Sequence, residues 1–138
     1  MLKVDWALAC RYAEVNNNLA TMVGGGIDHT YLPALPAPMQ VIVLARLIGP
    51  PEEFQGEHNV ACAAFAPDLS ELARVDGTLV MPEIPPTDWL LAVYYPMAVQ
   101  YMAPTAGAYR IEVGIDDSDP YPIPMHVSDR LPPEAPAD

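Results

Sequence analysis

The 138-residue sequence predicts an all-β fold, an antiparallel β-sandwich of about eight or nine short strands. Three observations carry that prediction. Apolar residues recur at every second position in several runs, the period that sets one face of a strand against a core. Seventeen prolines, well over twice the ordinary share of ~5%, break helix interiors and cut the chain into short segments. Clusters of Asn, Gly and Asp-Gly separate the runs and supply turn chemistry.

The opening run sets Leu2, Val4, Trp6, Leu8, Cys10 and Tyr12 on one face, with Lys3, Asp5, Ala7, Ala9 and Arg11 on the other. Apolar residues at that spacing would wrap all around a helix, so the run reads as a strand with its first set buried. Asn16-Asn17-Asn18 forms a turn, because Asn tolerates the left-handed conformation, and Leu19–Val23 returns as the second arm of a hairpin. Gly24-Gly25-Gly26 then marks a bend or a close backbone approach ahead of Ile27–Tyr31. Pro33, Pro36 and Pro38 impose an extended connection.

Met39–Ile48, apolar on both faces, reads as a central strand, ended by Gly49-Pro50-Pro51. Glu52, Glu53 and Glu57 decorate an exposed loop, and His58–Phe65 forms the next strand. Leu72–Val75 and Leu79–Met81 flank Asp76-Gly77, a hairpin-turn pair. Trp89–Tyr95 and Ala98–Met102 read as one strand broken at Pro96. Gly107–Ile115 turns Tyr109, Ile111, Val113 and Ile115 inward, Asp116–Asp119 is a turn, and Tyr121–Val127 is an edge strand whose prolines suit that position. Residues 1–128 form one domain; 129–138, rich in proline with only Leu131 as a sizeable apolar group, form a disordered tail.

A chain of this length with 51% hydrophobic residues has material for one core, so neither disulfide nor metal is required for folding. Cys10 and Cys62 lie in apolar alternating runs and read as buried free thiols of a cytoplasmic protein. Eighteen acids against six bases leave a formal charge of −12, with Lys3 the one lysine. Nucleic acids and anionic membranes repel such a surface, which excludes both partner classes. No segment approaches the ~18 apolar residues of a membrane span. Leu8-Ala9-Cys10 has the form of a lipoprotein processing site, but Asp5 interrupts the apolar stretch that a signal peptide needs.

The opening DWALACRYAEV, the following NNNLATMVGGGID, the proline-flanked strand after it and the late GAYRIEVGIDD with IPMHV occur in that order. Together they resemble an uncharacterised family of small bacterial domains of unknown function, built as β-sandwiches. The likeness spans most of residues 2–127. It implies a fold and a bacterial, cytoplasmic setting, and brings no activity, cofactor or catalytic residue with it.

No catalytic or metal-binding pattern emerges from the residues themselves. His29, His58 and His126 are scattered and match no zinc motif, so no metal and no cofactor is expected. Ser70, Ser118 and Ser128 lack a nucleophile-elbow context, and Cys10 has no basic neighbour on its face to lower its pKa. The triple glycine lacks the G-K-[ST] of a phosphate loop. Asp116, Asp117 and Asp119 form either a solvated acidic turn or a weak cation site, without the spacing of an EF-hand. The candidate ligand-binding group is Gly25, Asp28 and His29.

Trp89, Tyr94, Tyr95, Met97 and Tyr101 crowd into one proline-interrupted stretch with no charge, and serve either the core or an interface. The sequence therefore points to a non-catalytic interaction or assembly module, acting by self-association or on a protein partner. The competing expectation is a small-molecule binder or enzyme with a pocket between the sheets near His29.

Overall fold

A computed structural model describes residues 1–130. Its strands in chain order are β1 (Lys3–Cys10), β2 (Tyr12–Asn16), β3 (Leu19–Val23), β4 (His29–Tyr31), β5 (Ala37–Gly49), β6 (Gly56–Phe65), β7 (Glu71–Met81), β8 (Leu91–Ala103), β9 (Gly107–Ile115) and β10 (Tyr121–Ser128). A single helical turn, α1 (Pro51–Phe54), joins β5 to β6. The smaller sheet runs β1-β5-β8, the larger β4-β10-β9-β6-β7, and β2-β3 stands apart as a hairpin. All pairings are antiparallel except that of β4 with β10.

The two larger sheets bury their facing sides against each other. Met39, Val41, Val43, Ala45 and Leu47 of β5 meet Val60, Cys62 and Ala64 of β6 and the predicted inward set of β9 in one continuous core. Period-two alternation produces this: along β5, β6 and β9 one parity faces the opposing sheet. The fold is thus the expected all-β sandwich, with ten strands among the described residues.

Several local expectations are corrected. The register of β1 shifts between Val4 and Trp6, so Asp5 occupies a bulge and parity reverses beyond it. Ala7 and Ala9, not Trp6 and Leu8, enter the inter-sheet core. Asp76-Gly77 makes no turn: β7 is continuous, and Gly77 pairs with Val60 within the ladder. A Cβ at Gly77 would collide with the Tyr95 hydroxyl, so this glycine serves close approach rather than reversal. The acidic segment after β5 is a helical turn that plants Phe54, fully buried, in the core. The tail expectation falls almost wholly on residues outside those described.

The in-strand prolines obey one geometric rule. Tyr94 N–H and Ala92 C=O point away from β5, toward Asn18, so the even-numbered residues of β8 direct their peptide groups to the free side. Pro96 shares that parity and removes no bond from the β5–β8 ladder, which runs unbroken through it. Pro38, opposite Met102, faces away from β8 where β1 no longer pairs. His126 N–H donates to Asp28 C=O on the β4 side, so Pro122 and Pro124 face that same side before β4 begins. β10 is therefore an edge only over its first half.

Candidate functional site

The first candidate is a cleft of about 640 Å³ where β1 hands over to the β2-β3 hairpin. Asn17 and Asn18, at φ 52° and 55°, reverse the chain into β3, and Gly24 and Gly26, at φ 63° and 83°, bend it back toward β4. Gly26 and Ile27 N–H both donate to Ala9 C=O, closing the excursion at its root. The cleft gathers Gly25, Asp28 and His29, the three predicted ligand-binding residues, together with Arg11. The stem of Arg11 lies against Gly24, where a Cβ would come within 3.0 Å of its Cγ. Among the described residues Arg11 makes no ion pair, while Arg46, Arg74 and Arg110 are each bound to an acid.

Parallel pairing sets His29 directly beside His126, with ring centroids 5.4 Å apart and planes 15° from parallel. Sequence separation hid this pair, and only the β4–β10 ladder brings it together. His58 is remote from both. Its Nδ1 lies 2.7 Å from Asp116 Oδ2, and its Nε2 lies 2.9 and 3.2 Å from the Phe54 and Gln55 carbonyls. Acceptors at both ring nitrogens favour the doubly protonated ring. Burial opposes that charge, but the Asp116 carboxylate and the Phe54 carbonyl outweigh it and hold the His58 pKa above 6.5. No hydroxyl faces Nε2 among the described residues, so the pair ties β6 to the β9–β10 turn rather than activating a nucleophile. The same bond, with Asn59 N–H on Oδ1, engages the Asp116 carboxylate of the acidic turn.

The two thiols are free and buried. Burial pushes the Cys62 thiol up to about 12 and raises that of Cys10, so neither offers a thiolate at neutral pH.

The second candidate is β8, an edge strand of the smaller sheet. Its unbroken register with β5 leaves no bulge, so parity is strict and the aromatic cluster divides. Tyr95, Met97 and Tyr101 turn toward the core, and Met97 and Tyr101 are each only 6% exposed. Tyr94 lies on the outer face against Trp6, at 6.0 Å between centroids, and Trp89 precedes the strand at 58% exposure. Asn18 caps the first stretch of the free edge: its Nδ2 donates to Ala92 C=O at 2.7 Å and its Oδ1 accepts from Tyr94 N–H at 3.2 Å. Beyond Pro96, the peptide groups of Ala98, Gln100 and Met102 face outward without a partner among the described residues.

A protein-family model matches residues 5–128, and that family is described only as one of unknown function. Comparison with curated proteins gives no match.

Proposed function

The chain belongs to DUF6941, a family of unknown function, and we propose that it is a non-catalytic interaction module that docks through the free edge of β8. The observation supporting this reading is the peptide row Ala98-Gln100-Met102, without a partner among the described residues, in a segment with no charged side chain from Trp89 to Met102. Such an edge accepts an added strand, with main-chain bonds for affinity and side chains of one parity for selectivity. The net charge of −12 disfavours nucleic acid and anionic membrane as partners, and no helix is long and apolar enough to cross a membrane. A bacterial cytoplasmic setting belongs to the same reading.

Placing a charge on the edge tests it. Ala98→Lys, on the exposed outer face, is expected to abolish association in sedimentation experiments while shifting folding stability by less than about 0.5 kcal/mol. Unchanged association would refute edge docking.

Arg11, without an ion pair among the described residues, supports a second reading, an anion-binding cleft beside Gly24 and Gly25. Titration calorimetry with inorganic phosphate should register binding that Arg11→Ala removes. Equal heats from both proteins would dismiss the cleft as an anion site.

A further inference from the structure

We infer that the strand added at this edge is β8 of a second copy, antiparallel, about a two-fold axis through Gln100. This inference rests on the edge-docking reading and specifies its occupant.

The four terminal strands of the two larger sheets are not equivalent. β7 carries Arg74 and Asp76 along its length, and β4 spans only His29–Tyr31. At the end of β1, Ala9 C=O is already taken by Gly26 and Ile27. Charge, shortness and cover are the usual protections against strand addition, and β8 has none of them between Pro96 and Ala103.

The proline positions then select the register. Residues sharing the outward parity are Pro96, Ala98, Gln100, Met102 and, just past the strand, Pro104. Pro96 and Pro104 lack an N–H and stand symmetrically about Gln100. Two copies centred there oppose Gln100 to Gln100 and Ala98 to Met102, giving about six N–H···O=C bonds. Each Pro96 falls opposite a Pro104, so the ladder stops at both ends without stranding a donor. Centring on Ala98 instead sets Met102 against Tyr94, whose N–H is held by Asn18, and wastes Gln100 on Pro96. The Gln100 register is the one that uses every free N–H of the stretch. Such an interface is self-complementary and closes at a dimer.

The outer face beside the axis suits two acidic chains. Pro38, Gln40, Gln100 and Met102 line a shallow recess of about 560 Å³ with no charged group. Opposed Gln100 side chains can exchange amide hydrogen bonds across the axis.

Cysteine pairing reads the register directly. Directly opposed residues of a hydrogen-bonded antiparallel pair have Cα atoms about 5.5 Å apart, within disulfide range. Cys10 and Cys62 are buried and supply no competing surface thiol. Under mild oxidation Gln100→Cys should cross-link to a dimer. Ala98→Cys and Met102→Cys should each remain uncross-linked alone and cross-link when mixed. Light scattering of the wild-type chain should give a dimer at micromolar concentration. A monomer throughout that range, or self-cross-linking of Ala98→Cys alone, overturns the proposal. A synthetic peptide copying Ala98–Met102 separates its failure from that of edge docking. If the chain is monomeric but the peptide slows hydrogen exchange at Ala98, Gln100 and Met102, the edge accepts strands and the second copy is wrong. If the peptide leaves those amides unprotected as well, both readings fall.

Discussion

At the scale of single residues, the His58–Asp116 contact links protonation to stability. The folded chain holds the His58 pKa above its ordinary 6.5, so its contribution is fully present below that value and lost as pH rises through the folded pKa. Asp116 behaves oppositely. Burial raises its pKa, but the bond from His58 and the Asn59 N–H outweigh that and hold it below 3.8. Its contribution is present above 3.8 and lost as pH falls through the lowered folded value. The pair therefore stabilises most between about pH 4 and 6.5. Melting temperature is expected to decline from mildly acidic to alkaline pH, and His58→Gln should flatten that decline. An identical profile in the variant would show that another group controls it.

Two stacked tyrosines supply a contrasting pair at the same scale. Tyr101 and Tyr109 rings lie 6.0 Å apart. Tyr109 Oη donates to Thr105 C=O at 2.5 Å and accepts from Thr105 N–H, whereas the buried Tyr101 hydroxyl has no partner among the described residues. Burial, with a smaller push from Tyr109, lifts the Tyr101 pKa to about 12. Removing an unsatisfied buried hydroxyl relieves its desolvation penalty, so Tyr101→Phe should be neutral or stabilising by up to about 1 kcal/mol. Tyr109→Phe should destabilise by about 1 kcal/mol, because its bonds to Thr105 are lost. Urea denaturation of the two variants measures both, and the opposite ranking would contradict this assignment of the hydroxyls.

At the scale of elements, the prolines turn strand parity into a prediction. Odd-numbered residues of β8 direct their N–H to β5, and even-numbered ones to the free edge. Val99→Pro should destabilise the monomer by about 1–3 kcal/mol, since it strands a carbonyl of β5 inside the sheet. Gln100→Pro should leave the ladder intact, as Pro96 does, and remove the central bonds of the dimer. Circular-dichroism melts and sedimentation together test the pair. Equal destabilisation by both would mean that the peptide groups of β8 are not oriented as described. At this scale much was legible in advance: the hairpin, the central position of β5 and the inward set of β9 all follow from local alternation and turn residues. The continuity of β7 was not, because Asp-Gly reads as a turn until its neighbours are known, nor was the unbroken ladder through Pro96 in the one strand expected there.

At the scale of the whole molecule, a net charge of −12 opposes any meeting of two copies, even across an uncharged edge. Screening weakens that repulsion over a distance of about 10 Å at moderate ionic strength. Self-association should therefore tighten as salt is raised, the reverse of a contact built on ion pairs. Sedimentation equilibrium across a salt series checks the sign, and weakening with salt would point to an ionic interface elsewhere on the surface.

The sequence by itself determined the all-β class, the turns and most strand positions, because period-two alternation and turn chemistry act between residues close along the chain. It also identified Gly25, Asp28 and His29 as neighbours, since they lie within a few positions of one another. Tertiary structure alone decided the rest. The bulge at Asp5 exchanged the buried and exposed faces of β1, trading Trp6 and Leu8 for two alanines. The parallel ladder joined His29 to His126, and the approach of Tyr95 gave Gly77 its purpose. The register against β5 turned Met97 and Tyr101 toward the core, and the position of β8 at an edge left the peptide groups of Ala98, Gln100 and Met102 without a partner among the described residues. The physical reason is common to all four: register and edge position are set by which distant strands bury one another's faces, and no local period encodes that choice.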